Sequence, residues 1–109
     1  MKKRIDYYKI VKNIPHQVWI KNKTTFEVLF SDNIRTDDNV LGETRFDTKQ
    51  IIIKNNQSPK EMVHTLWHEA LHAIGDEVGA NLTETQVRAL EKAFPAFYRL
   101  FNELDKGKR

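Results

Sequence analysis

The sequence contains no cysteine. Disulfides and thiolate metal sites are therefore excluded, and any metal centre must be built from His, Asp or Glu. Long apolar runs are missing as well. None approaches the roughly 20 residues needed to cross a bilayer, and mean hydropathy is −0.63. Met1-Lys2-Lys3-Arg4 has the charge of a signal n-region, but Ile5-Asp6-Tyr7-Tyr8-Lys9 follows it where an apolar core should stand. No signal peptide is expected, and the cytoplasm is the expected compartment. Internal repeats, low-complexity tracts and linkers are also lacking, so residues 1–109 are expected to form one domain.

A basic stripe on one face is a further absence. The net charge is +3 and the isoelectric point about 9.2. Much of the excess lies at the ends, in Lys2-Lys3-Arg4 and Lys106-Gly107-Lys108-Arg109. Solvated termini explain such tails, so a nucleic-acid partner is disfavoured. Hydrophobic residues at 39% and charged residues at 30% give the composition of a folded globule, not of a disordered chain.

Element by element, the expected class is α+β. Tyr7, Tyr8, Ile10, Val11 and Ile14 fit a helical turn or a strand ending at Pro15. Gln17–Lys21 and Thr25–Phe30 read as strands, the second with Phe26, Val28 and Phe30 on one face. A turn at 22–24 joins them, and 31–39 reads as a polar loop. Val40–Phe46 is a weaker strand in which Gly42 marks a bulge or a close approach. Gln50–Lys54 is the clearest strand; its three isoleucines suggest burial on both faces or beneath a helix. Together these make a small mixed or antiparallel sheet of about four strands.

Helices follow. Ser58-Pro59-Lys60-Glu61 combines an N-cap, a first-turn proline and a capping box. Met62, Val63, Leu66, Ala70, Ala73 and Ile74 form the core stripe, and Gly75 is the expected stop. Thr83 and Gln86 make a second capping box. Val87, Leu90, Phe94, Phe97 and Phe101 continue at helical spacing, the aromatic row being read as core. Pro95 should kink this C-terminal helix or split it in two.

Within the first long helix lies His68-Glu69-Ala70-Leu71-His72. Residues four apart share a helix face, so both imidazoles can reach one ion. Glu69 projects about 100° round the axis from His68. Its carboxylate then stands beside the ion, where a general base for water is needed. This is the pattern of a zinc hydrolase, with two His ligands and a free Glu. His64 lies one turn earlier, but a ladder of three histidines spans about 12 Å, too far for one ion. It is assigned a supporting or surface role.

A third ligand is required. Glu84 opens the next helix after a short link, which favours an antiparallel pair and brings Glu84 towards His72. It is the first choice, with Glu91, Glu77 and Asp76 as alternatives. Zn2+ is the expected metal, although iron or manganese also suits two histidines and a carboxylate. His64, Tyr98, Arg45 and Arg88 are candidate stabilisers of a transition state.

The motif resembles that of the zincin metallopeptidases. Their metzincin branch ends in a third His after H-E-x-x-H-x-x-G; Gly75 fits that pattern, but Val78 stands where the His belongs. A later acid resembles the minimal gluzincin type instead. The wider run is similar to small phage and prophage proteins labelled as metallopeptidases. It comprises Val40–Glu43, Ile51–Ile53, Ser58–Glu61, Thr65–Ile74 and Leu82–Leu90, and the likeness covers about residues 17–91. The resemblance implies a zinc peptidase acting on a protein or peptide, with Glu69 as general base and His68, His72 and Glu84 on the metal. It also implies a substrate strand laid along the sheet edge within residues 40–54. A non-catalytic binding module on the same scaffold, such as a phage factor that binds a host protein, and a basic nucleic-acid-associated protein are the competing classes.

Overall fold

A computed structural model describes residues 4–21, 24–32 and 40–106. Residues 22–23 of the expected turn, 33–39 of the expected loop, and the basic ends at 1–3 and 107–109 lie outside the described residues. In chain order the elements are α1 (Tyr7–Lys12), β1 (Gln17–Lys21), β2 (Thr24–Ser31), β3 (Gly42–Arg45), β4 (Gln50–Lys54), α2 (Pro59–Glu77), α3 (Glu84–Glu91) and α4 (Phe94–Lys106). The class is α+β, as the patterning indicates.

The four strands form one mixed sheet in the order β1-β2-β4-β3. β1 and β2 pair antiparallel, β2 and β4 parallel, and β3 and β4 antiparallel. The isoleucine strand is thus central, which explains its composition. Ile51 and Ile53 are fully buried, and Ile52, on the opposite face by strand alternation, is 6% exposed. Phe26, Ile51, Ile53 and Ala73 form the core cluster. Val18, Ile20, Met62, Leu66 and Ala70 pack against it. β3 is an edge strand, held by pairing Gly42 with Ile53 and Thr44 with Ile51. Phe30, on the same strand face as the buried Phe26 and Val28, is 40% exposed near the end of β2.

α2 begins where its sequence says it must. The Ser58 hydroxyl accepts from the Glu61 amide, and the Glu61 carboxylate accepts from the Ser58 amide. The helix end differs from expectation. Gly75 lies inside the helix and is buried; a Cβ built there would meet Leu82 Cγ at 3.0 Å. It serves the close approach of the following link. The true stop is Gly79, with φ at 73°. The Ala80 amide donates to the Gly75 carbonyl and the Gly79 amide to the Asp76 carbonyl, satisfying the last turn. Because α1 and α3 pack on α2 as well as the sheet does, its buried residues are not a single stripe. Leu71 is buried, while Ile74 is 37% exposed.

α1 is helical, with Asp6 accepting from the Lys9 amide. The C-terminal helix is split: α3 ends at Glu91 and Pro95 sits in the first turn of α4, where a missing N–H costs nothing. The aromatic row is not core throughout. Phe94 is 9% exposed, but Phe97 is 45% and Phe101 54% exposed. After the break, the first turn of α4 packs on the body of the fold, where Phe94 meets Tyr7, His64 and Trp67, and Phe97 meets Trp67. No helix of the described residues is long and apolar enough to cross a membrane.

Candidate metal centre

The site lies in a cleft of about 640 Å³ between the β3 edge, the outer face of α2 and the facing side of α3. α2 contributes His68, Glu69 and His72. The two imidazoles sit one turn apart, edge-on at 63°, with ring centroids 5.0 Å from each other. The link from Val78 to Thr83 folds back, and the Thr83–Gln86 capping box then fixes where α3 starts. Its first residue is Glu84.

The Glu84 carboxylate spans both histidines. His68 Nε2 is 2.7 Å from Oε1, and His72 Nε2 is 3.1 Å from Oε2. Ligand atoms of His68, His72 and Glu84 lie within 4.8 Å of one another. Tetrahedral zinc with bonds near 2 Å separates its donors by about 3.3 Å. The three groups could therefore hold one ion after side-chain adjustment: the 2.7 Å contact must lengthen, and donors as far apart as 4.8 Å must draw in. The donor set, two imidazoles and a carboxylate, suits a borderline-soft divalent ion. Both histidine side chains are about one-fifth exposed and Glu84 about half exposed, so the centre faces the cleft and is reachable.

The other acids fall into different roles. Glu91 Oε1 lies 2.6 Å from His68 Nδ1, on the side of the ring away from Glu84. A carboxylate there accepts the Nδ1–H and fixes the tautomer that offers Nε2 to a metal. Glu77 is drawn off by Lys49, 3.3 Å away. Neither it nor Asp76 lines the cleft. Of the acids weighed as third ligand, Glu84 is the one in the metal-holding group.

Comparison with family models, with curated proteins and with solved structures returned no match. What can be said of function therefore rests on this geometry and on the motif.

Glu69 projects towards β3. Its Oε1 is 2.7 Å from the Thr44 hydroxyl, which also lies 3.0 Å from the Glu69 carbonyl oxygen. Glu69 is thus beside the histidine pair and outside the metal-holding group. Of the candidate stabilisers, His64 and Arg88 line the cleft and Arg45 and Tyr98 do not. Arg88 reaches Glu84 at 3.7 Å across solvent, an exposed pair worth at most a few tenths of a kcal/mol. Arg45 pairs with Glu43 at 3.1 Å, and Tyr98 stacks on Phe94. The His64 ring sits between Tyr7 and Phe94 at 5.9 Å from each, with Nε2 buried and without a hydrogen-bond partner among the described residues.

Two participants were not assigned these parts from sequence. Glu91 carried a usable signal: Glu84, Arg88 and Glu91 recur at i, i+4 and i+7, one face of α3, so an acid facing the histidines at one end implies a second two turns on. Thr44 carried none, because its meeting with Glu69 depends on how the β3 edge sits against α2.

Proposed function

We propose that the protein is a zinc-dependent metallopeptidase of the zincin class, of the small phage and prophage kind. The observation that carries this reading is the arrangement around Glu84: two Nε2 atoms converge on its carboxylate while the Glu69 carboxylate stands in the same cleft, free of the metal-holding group. A purely structural metal site has no use for that second carboxylate.

When bound, zinc would supply Lewis acidity, polarising a carbonyl and lowering the pKa of water. The chain's own groups do the rest. His68, His72 and Glu84 would hold the ion, and Glu91 would hold His68. Glu69 takes one proton from the attacking water as its oxygen bonds to the carbonyl carbon, then returns that proton to the nitrogen as the C–N bond breaks. The products are a carboxylate and an amine. A peptide lying along β3, the sheet edge that lines the cleft, would place its scissile bond between Glu69 and the histidine pair. The absence of cysteine fits a cytoplasmic setting.

The test uses Glu69→Gln beside the parent chain. Zinc is measured by elemental mass spectrometry and cleavage by a quenched fluorescent peptide library. About one zinc per chain in both, with cleavage by the parent only, supports the reading. Equal cleavage by Glu69→Gln removes Glu69 as base. Zinc in the parent without cleavage of any peptide shifts the function to a binding module on the same scaffold, and no zinc even after supplementation removes the peptidase altogether.

A further inference from the structure

We propose that Thr44 orients the Glu69 carboxylate, occupying Oε1 and leaving Oε2 as the oxygen that receives the proton from water. The inference rests on the peptidase reading for its chemistry, but its geometry stands on the fold.

A glutamate has three rotatable side-chain bonds. Nothing in an H-E-x-x-H pattern says which way its carboxylate turns. In this fold the β3 edge decides. Pairing with the central strand fixes β3 along its whole length, since Gly42 opposes Ile53 and Thr44 opposes Ile51. Strand alternation then turns positions 42 and 44 to the same side, the side that meets α2. Gly42 sets how near β3 comes. A Cβ built there would lie 2.5 Å from Thr65 Cγ2 and 3.1 Å from Glu69 Cγ, so only the missing side chain allows this approach. Thr44, two residues on, uses the resulting closeness to reach Glu69.

A threonine hydroxyl has one proton to give. Of its two contacts, the carboxylate at 2.7 Å is shorter than the carbonyl at 3.0 Å, and an ionised acceptor makes the stronger bond. The proton therefore belongs to Glu69 Oε1. Among the described residues no hydrogen bond reaches Oε2. One oxygen is anchored to a strand, the other is left without such a bond, and Glu69 itself lines the cleft. An edge strand that also lines the cleft thus ties the position of the base to that of a peptide laid against it. The Thr44 hydroxyl is spent on Glu69 and reaches neither the metal nor the scissile bond in this account; Thr44 is a positioning residue.

The experiment compares Thr44→Val, which keeps the β-branched shape and removes the hydroxyl, with Thr44→Ser, which restores it. In the zinc-loaded chain, Thr44→Val should lower kcat about 10- to 100-fold, the scale of a base displaced by about an ångström. KM should stay within about twofold, zinc content should stay at the parent level, and Thr44→Ser should recover most of the rate. Parent kcat in Thr44→Val, loss of zinc, or a failure of Ser to rescue overturns the proposal. A readout independent of activity is a double-mutant cycle in the metal-free chain, pairing Thr44→Val with Glu69→Ala in urea unfolding. In Glu69→Ala the hydroxyl proton is free to turn to the backbone carbonyl of residue 69, so the cycle reads the carboxylate bond over and above that carbonyl bond. Coupling of about tenfold in the unfolding equilibrium constant upholds the contact, and additive effects overturn it. If the parent cleaves no peptide, the peptidase reading falls on its own account, and the coupling still decides whether Thr44 orients Glu69.

Discussion

On the proposed zinc reading, replacing Glu91 by Ala should weaken zinc binding without removing a ligand. In the fold Glu91 Oε1 lies 2.6 Å from His68 Nδ1, a short bond of the charge-assisted kind, with the carboxylate about one-third exposed. Carboxylates that hold a ligating histidine in this way are typically worth about 10- to 100-fold in metal affinity. That is about 1.4 to 2.7 kcal/mol. The stabilisation conferred by saturating zinc scales with the logarithm of affinity, so the zinc-induced increment should shrink by the same amount. For a domain of this size each kcal/mol moves Tm by about 4–8 °C. The zinc-induced rise in Tm should therefore be smaller in Glu91→Ala by roughly 5–20 °C, whatever the substitution does to the metal-free chain. Chelator competition gives the affinity directly. Glu91→Gln keeps an oxygen that can accept the Nδ1–H and loses only the charge, so its loss should stay below about tenfold. Glu84→Ala removes a ligand and should be the weakest binder of the three. Affinity in Glu91→Ala within twofold of the parent would refute the assigned role. A loss equal to that of Glu84→Ala would make Glu91 a ligand, contrary to its place on Nδ1.

Two glycines make contrasting predictions. Gly42→Ala should destabilise by about 1–3 kcal/mol through overpacking against Thr65 Cγ2. Adding Thr65→Ser removes that methyl, keeps the 2.8 Å hydroxyl bond to Gln57 and should recover part of the loss in urea denaturation. No recovery would place the clash elsewhere. At Gly79 a Cβ meets nothing within 4 Å, so only the left-handed backbone at φ 73° resists substitution. Gly79→Ala should cost about 1 kcal/mol and Gly79→Asn less, because asparagine tolerates that region. Equal losses for the two would mean that backbone conformation is not the cause.

Much of the scaffold was legible in the chain. The capping boxes at Ser58 and Thr83 are local chemistry, and both form where the residues stand. Ile51–Ile53 announced a strand covered on both sides because no half-exposed strand can carry three such residues in a row. Pro95 announced a break because a ring without an N–H fits only a first turn. The H-E-x-x-H spacing placed His68 and His72 on one face by helical period alone. Where the sequence reading missed, the cause is a neighbour. Gly75 looks like a stop until Leu82 is seen lying against it. Phe97 and Phe101 have core spacing, but each lies about half exposed, Phe97 against Trp67 and Phe101 against Phe97.

The division follows from what periodicity and capping can encode. Sequence by itself determined the α+β class, the isoleucine strand, where α2 and α3 begin, that His68 and His72 share a helix face, and that a metal, if present, is held without sulfur. Tertiary structure decided that Glu84 spans the histidines, that Glu91 holds His68 from behind, that Glu77 goes to Lys49, and that Thr44 grips Glu69. Those outcomes depend on how a short link turns α3 back on α2 and how closely an edge strand approaches a helix. Such distances are set by packing between elements far apart in the chain, and no local pattern records them.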